Sequence, residues 1–231
     1  MIDATHWEKL RAMDPRDVTA RSLADYDAPS AEYRLRILTD EVRISPEKRA
    51  VAWPPGAEAG PSTGLRVGPS TALKATKPPG FNYWLVSVVY LLSAKALPPK
   101  GGWVSATSLP YGEFFFRGPH ALATDAVATA FADRPEAFEQ AAEALGGKPW
   151  PAAPCPEHSR RVCPEPRRRA GAFVLPALPR VPMLVQLWER DEEFPARASF
   201  LFDSTAGDQL MVDAIWSLSA IVAKRLVESA G

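Results

Sequence analysis

Three groups of residues in this 231-residue chain have the side chains and spacing to support chemistry. The first is acidic: Glu189, Asp191, Glu192 and Glu193 stand close together, and Asp203 follows ten positions after the last of them. Carboxylates brought together bind hard cations through oxygen, or raise one another's pKa for acid–base work. On that reading Asp191, Glu193 and Asp203 are the catalytic candidates, with a divalent metal ion as the cofactor they would take. The competing reading is a solvated charged turn in which Phe194-Pro195 sets the strand geometry.

The second group is Cys155, His158 and Cys163, spaced C-x2-H-x4-C in an arginine-rich stretch. Thiolates and imidazole are good zinc ligands, but a closed structural site wants four of them. Glu157 or Glu165 nearby, or His6 or His120 from afar, would have to complete the set. The plain alternative is a loop whose thiols are incidental.

The third group is aromatic. Trp103, Tyr111, Phe114, Phe115 and Phe116 precede Arg117 and His120. Trp103, Tyr111, Phe115 and His120 are the cofactor-binding candidates, since aromatic walls with a few polar groups suit flat ligands. Aromatic runs also simply fill cores. Arg160, Arg161, Arg167, Arg168 and Arg169 form the one basic concentration, which reads as solvated charge. The sequence contains no glycine-rich phosphate loop and no H-E-x-x-H motif.

These residues need a framework, and the hydrophobic periodicity supplies one. Helical spacing marks residues 4–13, with a second helical turn or two after Asp17. Tyr33, Leu35 and Ile37 alternate with arginines, Val42 and Ile44 resume the alternation, and residues 50–53 add a third strand. Residues 81–97 carry apolar side chains around a wide face and read as a buried central helix. Extended segments follow at 103–109 and 114–116, then helices at 121–131 and from Pro135 to the stop at Gly146-Gly147, with Asp133 as the cap. Strands at 181–188 and 198–202 flank the acidic link and should pair antiparallel. A C-terminal helix covers 209–227.

This order lacks a regular βαβ alternation. The expected fold class is therefore α+β, with a single mostly antiparallel sheet shared by the N-terminal and C-terminal strands and helices packed on it. Residues 1–231 read as one domain, interrupted by proline-rich loops at about 54–80 and 148–171. Twenty-four prolines keep the elements short.

Composition excludes several function classes. Lys+Arg and Asp+Glu both total 27, and a zero net charge argues against a protein built to hold nucleic acid or an anionic membrane. The greasiest run, residues 81–92, is short of the ~20 residues a spanning helix needs. The N-terminal segment does not read as an export signal, so a soluble cytoplasmic protein is expected.

The segments Tyr90-Leu91-Leu92, Gly102-Trp103-Val104-Ser105, Leu109-Pro110, Leu145-Gly146-Gly147 and Leu178-Pro179-Arg180-Val181-Pro182 occur in that order. They are followed by LWERDEEFPARASFLFD, residues 187–203. Together they resemble the bacterial and archaeal domain-of-unknown-function family DUF3786, over nearly the whole chain and most densely at 178–203. The resemblance implies a setting in anaerobic or redox-specialised microbes, where some similar proteins carry an iron–sulfur domain. This chain lacks the closely spaced cysteines of such a domain, so no iron–sulfur cluster is expected in it. The resemblance brings no catalytic residues with it. Two functions stay open: a non-catalytic accessory domain that binds a cofactor, small-molecule ligand or partner protein in redox metabolism, and an enzyme using the carboxylates.

Overall fold

The computed structural model describes residues 4–53, 80–117, 120–150, 169–190 and 192–230. Two short helices open the chain, α1 (Ala4–Ala12) and α2 (Pro15–Ser22). Asp14 caps α2 by accepting a hydrogen bond from the Arg16 N–H at 2.9 Å, with Pro15 preorganised at the first helical position. A four-stranded antiparallel meander follows: β1 (Asp25–Asp27), β2 (Glu32–Ile37), β3 (Asp40–Ser45) and β4 (Ala50–Ala52). Alternation places Tyr33, Leu35, Ile37, Val42, Ile44 and Val51 in the core.

Helix α3 (Phe81–Ser93) lies at the centre. Its residues from Leu85 to Leu91 are all buried, as expected of a helix apolar on every side. It ends at Ser93 rather than running to residue 97: Ala94 turns extended and the Lys95 N–H donates to the Gln209 side chain at 2.8 Å instead of to the helix. Then come β5 (Trp103–Ser105), α4 (Gly112–Phe115), α5 (Thr124–Phe131), α6 (Pro135–Ala144) and β6 (Lys148–Pro149). The chain closes with β7 (Arg169–Leu178), β8 (Val181–Trp188), β9 (Arg197–Asp203), α7 (Ala206–Gln209) and the long α8 (Val212–Ser229).

The α+β class stands, but there are two sheets rather than one. The first has the order β1-β2-β3-β4, the second β5-β9-β8-β7-β6, antiparallel throughout. The expectation of a shared sheet undervalued helix packing: four strands with one apolar face stand by themselves once a helix covers it. The sheets still communicate. The Leu38 N–H donates to the Ala177 carbonyl at 3.1 Å, and one continuous hydrophobic cluster runs from Trp7 to Leu226. Tyr90 adds a polar rivet, donating to the Ser22 carbonyl (2.9 Å) while accepting from the Arg180 N–H (3.2 Å).

Other local expectations also shift. Phe114 and Phe115 belong to the short helix α4, with Phe116 as its C-cap, rather than to an extended segment. Strand β7 begins inside the stretch read as loop and carries Pro176 at a register irregularity between Leu175 and Leu178, a place where a strand tolerates proline. Asp133 makes no cap; its carboxylate takes the Arg190 guanidinium at 2.6 Å instead.

Candidate functional site

The second sheet has two faces of different character. Met183, Val185, Leu187, Phe200 and Phe202 point to the helices and join the main core. Strand register puts another set on the opposite face: Trp103 beside Asp203, Ser105 and Leu184 beside Leu201, Gln186 beside Ser199, and Lys148 beside Val174. Leu184 is 2% exposed yet stands outside the main core cluster, so this face shelters apolar surface of its own.

Two tryptophans mark that face. Trp103 comes from edge strand β5, and Trp150 extends the ladder of the opposite edge strand β6 by donating its N–H to the Ala172 carbonyl at 2.7 Å. Strands stand ~4.8 Å apart, so the edges of a flat five-stranded sheet lie about 19 Å from one another. The two indoles nevertheless meet edge-to-face, with ring centroids 5.6 Å apart and planes at 83°. The sheet must therefore curl toward this face.

Around the pair are hydrogen-bonding groups without net charge. Ser199 bonds to Gln186 at 3.2 Å, and the Ser105 hydroxyl lies 2.8 Å from that of Thr107 and 2.9 Å from that of Ser108. The Trp103 Nε1 atom is buried and has no acceptor among the described residues. An unmatched buried donor costs ~1–3 kcal/mol. Lys148 and Arg197 add exposed positive charge on the same face and form no ion pair among the described residues. The arrangement can hold a planar or apolar ligand that accepts a hydrogen bond.

Asp203 anchors the edge of this face beside Trp103. It is fully buried and accepts four hydrogen bonds: Thr205 N–H (2.9 Å), Thr205 Oγ1 (2.6 Å), Lys100 N–H (3.2 Å) and Gly101 N–H (2.6 Å). Burial pushes its carboxyl up, but the hydrogen bonds outweigh that and hold it below the usual carboxylate range. The bonds to Lys100 and Gly101 fix the bend that launches Trp103. Gly101 sits at φ +76°, a conformation glycine adopts without steric cost.

Asp203 and Glu193 do not converge. Glu193 lies in the link before β9 and Asp203 at the strand's last residue, about 20 Å of extended chain further on. Glu192 and Glu193 are exposed and Glu189 is half-buried. Asp191, Cys155, His158 and Cys163 lie outside the described residues. Among the described residues, no three His, Cys, Asp or Glu side chains are grouped to hold a metal ion.

The aromatic candidates divide. Phe115 and His120 stack with centroids 4.3 Å apart, and His120 meets Trp216 of α8 edge-on at 5.6 Å. The Trp216 indole donates to the Ala121 carbonyl at 3.1 Å, securing this cluster to α8. Tyr111 is 83% exposed and projects from a left-handed backbone at φ 63°. Trp103 makes its ring contact with Trp150, which lies in the stretch 148–171 that the sequence predicts as a loop. The available signal was Trp150 itself, a large aromatic just before a proline-rich stretch.

The fold and this face define a two-sheet α+β protein with a tryptophan-bridged sheet. The chain belongs to the family described as a domain of unknown function, DUF3786, whose model matches residues 68–225. The matched span holds the second sheet and Trp103, Trp150 and Asp203, while the N-terminal meander lies outside it. No curated protein and no solved structure matches the chain. Among the described residues, no helix is long and apolar enough to cross a membrane.

Proposed function

We propose that the protein is a non-catalytic accessory domain that binds a planar organic cofactor on the tryptophan-bearing face of its second sheet. The observation carrying this reading is the Trp103–Trp150 pair, with the Trp103 N–H buried and lacking an acceptor among the described residues. A ligand edge that accepts this hydrogen bond relieves the unmatched donor, and stacking on indole supplies the apolar contact. Lys148 and Arg197 favour a ligand carrying negative charge. The redox setting implied by the family resemblance directs the choice of ligands toward flavin and nicotinamide nucleotides.

The test is a thermal-shift and tryptophan-fluorescence titration against flavin, nicotinamide and pterin compounds. A ligand that binds only the native state must raise the melting temperature. One compound is expected to bind saturably, and Trp103→Phe, which keeps an aromatic ring but removes the indole N–H, to weaken it. If no compound shifts the melting temperature, or Trp103→Phe binds as well as the wild type, the reading fails.

A further inference from the structure

A second site is built from helices. A cleft of about 520 Å³ is lined, among the described residues, by His6, Lys9, Ala12, Met13, Ser93 and Met211, with Leu92 beside them. That volume falls in the ~300–1,000 Å³ range of small-molecule sites. We propose that it binds an anionic amphiphile with a flexible aliphatic tail, of which a fatty acid is the simplest example.

The lining decides both parts of that ligand. Its apolar portion contains no aromatic ring; Met13 and Met211 are unbranched thioethers that reshape around an extended chain. Met211 is left 65% exposed at the entrance to α8, apolar surface that a tail would cover. The Ser93 hydroxyl is already committed inward to the Gln209 carbonyl at 2.6 Å, which leaves that wall without a demand for a polar partner. Among the described residues the lining contains no acidic side chain. Lys9 is exposed and forms no ion pair among the described residues, whereas the nearby acids Glu8 and Asp208 already pair with Arg49 and Lys95. Lys9 thus puts positive charge at the rim that no described acid neutralises, and it favours a carboxylate head over a neutral one.

The test uses the full chain and calorimetric titration with decanoate, below the concentration at which it aggregates, alongside decanol as the uncharged counterpart. Decanoate should bind saturably and more tightly than decanol. Lys9→Gln should weaken decanoate about three- to fivefold, the size of one solvent-screened charge pair, and leave decanol unchanged. Ala12→Trp places a large ring in the cleft from an exposed helix position, so the fold should survive while both ligands lose binding. Circular dichroism checks that it does. The proposal is overturned if decanoate shows no saturable binding, if Ala12→Trp binds as the wild type does, or if decanol matches decanoate. Self-association of the wild type that Ala12→Trp abolishes, without decanoate binding, would assign the cleft to a second copy of the chain and equally overturn it.

Discussion

Trp103 of edge strand β5 and Trp150 at the end of edge strand β6 meet edge-to-face at 5.6 Å, across three intervening strands. The contact ties the two sheet edges together, so it should report on the curl of the whole face. Edge-to-face aromatic pairs contribute ~0.5–1.5 kcal/mol beyond area burial. A double-mutant cycle with Trp103→Leu and Trp150→Leu, read by urea unfolding, should give a coupling energy in that range. A coupling of zero would mean that the curl is held elsewhere and that the indoles are independent.

Asp203 offers a sharper separation between a structural and a catalytic carboxylate. Its four hydrogen bonds fasten the residues on both sides of the β5–β9 pair. Asp203→Ala leaves the buried Thr205 donors and the Lys100 and Gly101 N–H groups without their acceptor and should cost about 3 kcal/mol; Asp203→Asn, which keeps one oxygen, should cost less. The folded-state pKa is depressed, so the stabilisation is fully present above the unfolded value of ~3.9 and is lost as pH falls through the folded value. The stability gap between wild type and Asp203→Asn should therefore narrow in acid, measured by denaturation at several pH values. A carboxylate kept for catalysis would instead lose activity on substitution with stability unchanged.

Much of this framework was legible in the sequence because it rests on strong periodicity. The alternation of Tyr33, Leu35 and Ile37 with arginines marks β2, and the stripe from Ala214 to Leu226 marks α8. The separation into two sheets was not legible, since alternation shows which face is buried but not which strand lies alongside. Strand β7 was hidden by Pro176 and by its small residues Gly171, Ala172 and Ala177. The site was harder still. Trp103 and Trp150 are separated by 46 intervening positions and belong to opposite edges, so only strand order brings them together. The acidic link is conspicuous in sequence because charge clusters on a turn, yet it lies a strand's length from Asp203.

The end of α6 tests a turn that the sequence marked correctly. The Gly147 N–H donates to the Ala142 carbonyl (2.8 Å) and the Gly146 N–H to the Glu143 carbonyl (2.9 Å), a Schellman closure. The two glycines are needed for different reasons. Gly146 sits at φ +77°, so Gly146→Ala should cost ~1 kcal/mol in backbone strain. A Cβ on Gly147 would lie 2.6 Å from the Ala142 carbonyl oxygen and 2.8 Å from Leu175 Cδ2, so Gly147→Ala should cost more, roughly 2–3 kcal/mol. Thermal denaturation of the two variants should rank them in that order; the reverse ranking would refute the packing of Gly147 on β7.

The most consequential polar contact between the N-terminal meander and the rest of the chain joins Asp40, Tyr83 and Arg225. Tyr83 donates to Asp40 Oδ2 at 2.7 Å, Arg225 donates to Asp40 Oδ1 at 3.0 Å, and Arg225 also pairs with Glu228 at 3.3 Å. Arg225 is 7% exposed, so removing Asp40 leaves a nearly buried cation stranded but for the partly exposed Glu228. Asp40→Ala should cost about 3 kcal/mol, while Asp40→Ala combined with Arg225→Met should be milder, because the second change removes the stranded charge. Tyr83→Phe should cost ~1–2 kcal/mol for a lost bond to a carboxylate. Burial, then the Asp40 charge, push the Tyr83 hydroxyl well above the ordinary tyrosine range. Its contribution is complete below the unfolded tyrosine value of ~10 and is lost as pH rises through the folded value, so Tyr83→Phe should flatten the alkaline limb of the stability curve. Urea unfolding of these variants from neutral to alkaline pH measures both effects. A double variant no more stable than Asp40→Ala alone would show that Arg225 is not the stranded charge.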